Sequence, residues 1–446
     1  MLDLGGIVRA YDVRGLVPDQ LDNEVAYVLG RAAAVELHST AIVVARDMRA
    51  SGVSLAEAFM AGVREQGVET VDLGLASADL LYYASGRLDL PGAMWTASHN
   101  PAGYNGLKLC RAGAEPVAID TGLAALRDRA QARDFPPAKA PGGRRTADLL
   151  EEYAEHVRGF VDIGAMRRTR VVVDAANGMA GYVVPPVFAG MPIDLVPLYF
   201  ELDGSFPNHP ANPIEPENLE DLRKAVVNEG ADLGLAFDGD ADRMFCVDEH
   251  GRPVSPSLVA AVIARTLLER NPGASILYNL ICSRVVPETI AASGGHAIRT
   301  RVGHSFIKAL MRDTGALFAA EHSGHYYFRD NFRADSGLIA AVLLLEALGD
   351  HDGPMSSMVA PFDRYVASGE LNTAVADQTE ATDRVAKAFA GQGESDRADG
   401  LTVSGNGWWF NLRPSNTEPL LRLNVEADDE HTMASIRDRV RQLIAT

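Results

Sequence analysis

Three aspartates, Asp238, Asp240 and Asp242, alternate within the stretch FDGDADR. Carboxylates packed this closely repel one another strongly unless a cation sits among them. Hard oxygen ligands without histidine or cysteine suit Mg2+ or Ca2+, not zinc. Counted as an EF-hand, Asp238, Asp240, Asp242 and Glu249 take the ligand positions, but Arg243 stands where the turn glycine is needed. Strand-like LGLAF and MFCVD also flank the loop, where an EF-hand has helices. The stretch therefore reads as a divalent site for Mg2+, with Arg243 placed to hold a phosphate shared with the metal.

A second loop, TASHNPAGYNGLKL (96–109), offers Ser98, His99 and Lys108. A nucleophile elbow of the hydrolase type needs glycines where Thr96 and Asn100 stand, which excludes that chemistry. A serine beside a metal can instead carry a phosphoryl group, whose transfer needs a cation, positive clamps and a positioned proton acceptor. Lys108 and His99 are the candidates for clamp and acceptor. Gly103 and Gly106 read as the turn that brings Lys108 back towards Ser98. Near the C-terminus, RPSNTEP (413–419) joins two strands, and two readings of it stand: a compact oxyanion cradle or a hydrogen-bonded turn. EHSGH (321–325) follows a strand and suits a polyhydroxylated ligand, although a satisfied polar loop is the simpler reading. Tyr11-Asp12-Val13-Arg14-Gly15 places an arginine in a turn and by itself says little.

What must position these loops is a repeating rhythm. Short Val-, Ile- and Leu-rich runs (41–47, 93–100, 170–178, 231–243, 275–280 and 316–324) end in small or charged residues, as buried strands do. Helical patterns at 54–66, 219–229, 257–269, 305–314 and 338–348 lie between them. The alternation predicts α/β layers with mainly parallel, mixed sheets, whose ligands gather beyond the carboxyl ends of the strands. The Pro- and Gly-rich stretch 133–145 reads as a link, and the rhythm stops near 361–371. The expected organisation is three similar α/β domains (1–140, 141–252 and 253–362) and a smaller α+β domain (363–446).

The composition narrows the function. With 47% hydrophobic and 23% charged residues the chain is an ordinary soluble globular one. Its net charge of -19 argues against nucleic acid or an anionic membrane as a general partner. An anionic substrate therefore needs a local basic site. Three cysteines without a CxxC pair imply neither a disulfide framework nor a zinc site, and point to a reducing compartment. The start, MLDLGGIVRAYD, lacks the regions of a signal peptide, and the apolar run 338–345 is too short to cross a bilayer. A cytoplasmic location is expected, and the sequence does not distinguish monomer from dimer.

Taken in order, AYDVRG, TASHNPAGYNGLKL, DGDADR, GHSFIK, EHSGH and RPSNTEP resemble the α-D-phosphohexomutases, specifically the bacterial phosphomannomutase/phosphoglucomutase branch. The resemblance runs from Tyr11 to Pro419, nearly the whole chain. It implies four domains around a central cleft and interconversion of hexose 1- and 6-phosphates through phospho-Ser98 and a hexose 1,6-bisphosphate. It further implies Mg2+ on Asp238, Asp240, Asp242 and the Ser98 phosphate, with Arg243 assisting. Glu321 and Ser323 would contact the sugar 3- and 4-hydroxyls. Arg413, Ser415, Asn416 and Thr417 would hold the non-reacting phosphate, and His304 and His325, with Tyr11 and Arg14, would line the cleft. Proton transfer is assigned to Lys108 with His99 in support, a role the family does not fix. One departure stands out: where relatives carry the pattern V-K-C-T-R, this chain has Leu280-Ile281-Cys282-Ser283-Arg284, so Arg284 or Arg301 would have to supply the missing charge. A phosphoglucosamine mutase is the nearest alternative, weakly disfavoured by His322 where that branch usually has Gln. A metal-dependent phosphatase is a more distant one.

Overall fold

The computed structural model describes residues 3–415 and 420–445. Its first three sheets repeat one plan. In each, three strands lie parallel and a hairpin partner runs antiparallel beside them. The first sheet places Tyr104–Arg111, Gly92–Trp95, Ala41–Arg46 and Glu69–Leu75 side by side. The second places Met244–Asp248, Leu233–Phe237, Thr169–Asp174 and Ile193–Leu198 in the same order. The third does so with Tyr326–Phe328, Phe318–Ala320, Ser275–Asn279 and His296–Thr300. The sheets are thus mixed, parallel at the centre and antiparallel towards one edge. Val13–Leu16 extends the first sheet beyond Tyr104–Arg111, with Val13 opposite Leu107.

This repeat puts three loops in equivalent places. Each joins the third strand of a sheet to its antiparallel partner: residues 96–103, 238–243 and 321–325. They carry the serine, the aspartates and the EHSGH stretch. The fourth sheet is wholly antiparallel, ordered Val366–Ala374, Leu420–Ala427, Trp408–Pro414, Leu401–Gly405 and Glu394–Asp396. Helices Gln378–Ala388 and Glu430–Ala445 pack with it.

Burial decides which units share a core. One core joins Leu81 and Met94 of the first unit, Tyr153 and Val173 of the second, and Ile276 and Leu343 of the third. Its centre is the helix Gly337–Gly349, GLIAAVLLLEALG, apolar all round and therefore buried all round. Leu343, Leu344 and Leu345 are fully buried, stabilising by roughly 2 kcal/mol per side chain. Ser336 caps this helix, accepting from the Ile339 N–H and donating to Asp79 of the first unit at 2.7 Å. The fourth unit keeps its own core, around Phe410, Leu423 and Val440. The stretch read as a link is partly structured: Arg144–Thr146 forms a strand parallel to Glu69–Leu75 at the edge of the first sheet. No helix among the described residues is long and apolar enough to cross a membrane.

Candidate active site

Ser98 sits at the turn after Gly92–Trp95 with φ of 49°, the left-handed region that side-chain-bearing residues rarely adopt. It is 1% exposed. Its hydroxyl donates to Asp238 Oδ2 at 2.6 Å, across the boundary between the first two units. Thr96 ties the loops together, accepting from the Ser98 N–H at 2.9 Å and donating to Asp240 at 3.2 Å. Arg243 lies over the same hydroxyl, 3.4 Å away, and donates to His99 Nδ1. The Arg243 charge, then burial, then Arg14 and Lys108 hold His99 well below the usual histidine range. His99 is therefore a neutral acceptor beside Ser98, with Nδ1 at 3.2 Å.

Asp238, Asp240 and Asp242 are buried and bring one oxygen each within 4.8 Å of the others. Burial and the charges of Asp242 and Asp240 push Asp238 up to about 7. Asp240 Oδ1 and Asp242 Oδ1 are buried without a hydrogen-bond partner. Buried carboxylate oxygens without a hydrogen-bond partner are costly unless a cation takes them. The donor set is all oxygen, the ligation that hard divalent ions prefer. The residues present fit a metal ion of the Mg2+ class.

Lys108 does not arrive by a turn. It stands well inside the strand Tyr104–Arg111, opposite Met94. Gly106 serves close packing in that strand, since a Cβ there would lie 2.3 Å from the Val13 carbonyl oxygen, and a Cβ on Gly103 would meet nothing nearer than 3.8 Å. The Lys108 ammonium donates to Asp240 at 2.7 Å and to Asp242 at 2.6 Å. Burial opposes its charge, yet these two carboxylates hold it well above the ordinary lysine value. Such a group clamps anions.

A cavity of about 700 Å³ opens at this point, lined from all four units. The first gives Tyr11, Arg14, Ser98, His99 and Lys108; the second, Asp242 and Arg243; the third, Arg301, His304 and His325; the fourth, Arg413, Ser415 and Arg422. Arg14 also braces the serine loop, donating to the Ala97 carbonyl at 2.8 Å and to Asn100, while paired with Asp12. His304 packs edge-on to Tyr11 and is lowered to about 3 by burial and Lys308. His325 Nδ1 lies 2.9 Å from Asp335, and a backbone bridge joins His325 to Arg243, so the EHSGH and aspartate loops are zipped together. Burial disfavours the imidazolium, but the Asp242 and Asp335 charges prevail and raise His325.

Two expected sugar contacts sit differently. Glu321 and Ser323 are not among the residues lining the cavity. Glu321 is buried behind it, accepting from Tyr327 at 2.6 Å and from Asn279 and the Gly303 N–H at 3.2 Å. Asn416 and Thr417 lie outside the described residues. Of the two candidate replacement cations, Arg284 is engaged elsewhere, pairing with Glu426 and Asp428 and stacking on Tyr365. Arg301 reaches the cavity and lies over the Phe306 ring. Ile281 is buried against Leu280 and Trp409 of the fourth unit.

Several contributors escape sequence reasoning. Glu370 bridges Arg413 at 2.8 Å and Arg422 at 3.1 Å, setting two guanidiniums side by side on the cavity wall. Arg422 alternates with the buried Leu421 and Leu423, a period-two signal that points it away from the core. Asp335, ten residues beyond His325, pairs at 3.0 Å with Lys308, the lysine that ends GHSFIK, a pairing no local pattern announces. Arg49, 1% exposed, lies beneath the serine loop.

A buried serine over a carboxylate cluster, in a cavity shared by four units and lined by cations, marks the class of site that handles phosphorylated substrates. Comparison with known proteins agrees. Models of phosphoglucomutase/phosphomannomutase α/β/α domains I, II and III match residues 5–136, 151–251 and 255–365, and the model of the C-terminal domain matches 370–443. Phosphomannomutase of Escherichia coli K12 is 37% identical over 443 residues, covering 97% of both chains. Phosphomannomutase/phosphoglucomutase of Pseudomonas aeruginosa PAO1 is 38% identical over 97% of this chain and 94% of its own. The crystal structure of a phosphoglucomutase/phosphomannomutase family protein from Burkholderia thailandensis superposes with a TM-score of 0.91 at 33% identity, over 99% of this chain and 97% of that one. The chain belongs to the phosphoglucomutase/phosphomannomutase family, a family of isomerases.

Proposed function

We propose that this chain is a cytoplasmic phosphohexomutase that interconverts hexose 1-phosphates and hexose 6-phosphates, accepting mannose and glucose alike. The observation that carries this reading is the Ser98 hydroxyl, 2.6 Å from Asp238 at the edge of the carboxylate cluster and facing the cavity that Arg413 and Ser415 also line. Such a cavity has room for a hexose bisphosphate with both phosphates engaged.

In the proposed cycle the bond from phosphorus to Ser98 Oγ breaks as a bond from phosphorus to the sugar O6 forms, and Oγ leaves as an oxyanion facing the Arg243 guanidinium, 3.4 Å away, until it attacks again. The O6 proton passes to His325, which Asp335 orients. The bisphosphate then turns over within the cavity. The bond from O1 to phosphorus breaks, Ser98 is rephosphorylated, and His325 returns the proton to O1. Bound at Asp238, Asp240 and Asp242, Mg2+ would neutralise charge on the transferring phosphoryl group. Arg243 and Lys108 clamp its oxygens, and the Arg413–Ser415 wall holds the phosphate that is not reacting. Arg301 is the cation that stands in for the lysine replaced by Ile281.

The test is a comparison of kcat/KM for mannose, glucose and glucosamine 1-phosphates. The reading expects mannose and glucose within about tenfold of each other and glucosamine well below. A hundredfold preference between mannose and glucose contradicts the acceptance of both, and glucosamine as the best substrate contradicts the assignment.

A further inference from the structure

Arg49 ends the strand–loop stretch AIVVARDMR and precedes the helix Ala50–Glu65, yet its side chain makes no helix cap. It turns instead into the serine loop. Its Nη2 donates to the carbonyls of Ser98 at 2.9 Å and Asn100 at 2.6 Å. Its Nη1 donates to those of Pro101 and Tyr104, both at 2.9 Å. One guanidinium thus gathers four carbonyl oxygens from a segment that has few bonds of its own. Its counterion is Asp47, fully buried, with Nε at 3.3 Å and the Arg49 N–H bonded to the carboxylate at 2.9 Å.

The second unit closes over it. The Phe206 ring lies 5.0 Å from the guanidinium carbon. Gly204 packs so tightly that a Cβ there would fall 2.6 Å from Arg49 Cα. The carbonyl that Arg49 holds on Ser98 belongs to the residue with the left-handed backbone, and it also abuts Gly239 of the aspartate loop.

We propose that Arg49 is a positioning residue for phosphoryl transfer: by drawing in the loop carbonyls it fixes Ser98 in the strained conformation that presents Oγ to Asp238. Lysine cannot reproduce this role, because a single ammonium lacks the planar fork that reaches four acceptors in two directions. The inference rests on the reading of Ser98 as the phosphoryl carrier.

The experiment uses the full-length enzyme with Mg2+, native and as Arg49→Lys and Arg49→Ala. Transfer of phosphate from glucose 1,6-bisphosphate to the dephosphorylated protein is followed by intact mass, alongside steady-state kcat and KM and circular dichroism. Arg49→Lys, folded, is expected to lose about thirtyfold in kcat and in the transfer rate while KM changes less than about threefold, because the far phosphate and sugar contacts are untouched. Added guanidinium ion should restore part of the lost rate in Arg49→Ala. Should Arg49→Ala fail to fold, the lysine variant decides alone. A folded Arg49→Lys that phosphorylates Ser98 at the native rate overturns the inference, as does a loss expressed in KM alone. Failure of the native protein to take phosphate on Ser98 overturns the functional reading itself, which keeps the two failures apart.

Discussion

Replacing Gly239 with alanine should separate the serine from its carboxylates without removing a polar group. An alanine Cβ at 239 would lie 2.4 Å from the Ser98 carbonyl oxygen and 3.2 Å from its carbon. Ordinary contact begins near 3.4 Å, so one loop must retreat by roughly 1 Å. The serine side resists, because that carbonyl is held by Arg49 at 2.9 Å. The aspartate side resists as well, because the Gly239 carbonyl accepts from the Met179 N–H at 2.9 Å. The displacement therefore falls between Ser98 Oγ and Asp238, now 2.6 Å apart. Misplacement of reacting groups by about 1 Å costs on the order of a hundredfold in rate, or about 2.7 kcal/mol of barrier. The assay is kcat on glucose 1-phosphate at saturating bisphosphate, with circular dichroism to confirm folding. Gly6→Ala, where a Cβ meets nothing within 4 Å, is the control and should be unaffected. A folded Gly239→Ala enzyme within threefold of native kcat would refute the argued contact between the two loops.

Other consequences are open to direct measurement. Dialysis against a chelator should abolish activity, Mg2+ should restore it and raise the melting temperature, and Asp240→Asn should blunt both responses; full activity after chelation contradicts the cation reading. Asp79 is buried and accepts from Ser77, Tyr153 and Ser336, one residue from each of the first three units; burial raises it from 3.8 to about 6. The folded state then keeps the Asp79 proton longer than the unfolded chain, so this group's contribution falls as pH rises from 3.8 to about 6 and is level above. The melting difference between Asp79→Asn and native protein should grow in the variant's favour across that window, by up to about 3 kcal/mol; a pH-independent difference removes the assignment. Arg301→Ala should raise KM for hexose phosphates about tenfold with a smaller change in kcat, and Arg284→Ala should change KM less than about threefold. The reverse order would exchange their roles.

How much of this was legible in sequence depended on where each partner lay. The aspartates were legible because their mutual repulsion is local, and the strands because Val- and Ile-rich runs are local too. The repeat was heard only as rhythm, since the common strand order is a property of pairing, not of residue identity. Arg49 was passed over because what it binds lies roughly fifty residues on, in Ser98 to Tyr104. Glu370 and Arg422 escape for the same reason, 52 residues apart. Gly106 was noticed for the wrong cause, its role being close approach to Val13. Lys108 reads in sequence as reaching Ser98 through a turn, whereas it stands in a strand and its two carboxylate partners, distant in sequence, come to it only through the fold. The stretch 133–145 looked like a linker by composition, and its end nevertheless found an edge strand to pair with.

The central claim, that Ser98 is a phosphate relay, is tested most directly by mass. Native protein incubated with glucose 1,6-bisphosphate and Mg2+ should gain one phosphoryl group, mapped to the peptide carrying Ser98, and lose it on addition of hexose 6-phosphate. Ser98→Ala should gain none and lose at least a thousandfold in kcat. Phosphate on another residue, or a Ser98→Ala enzyme with native activity, would contradict the account.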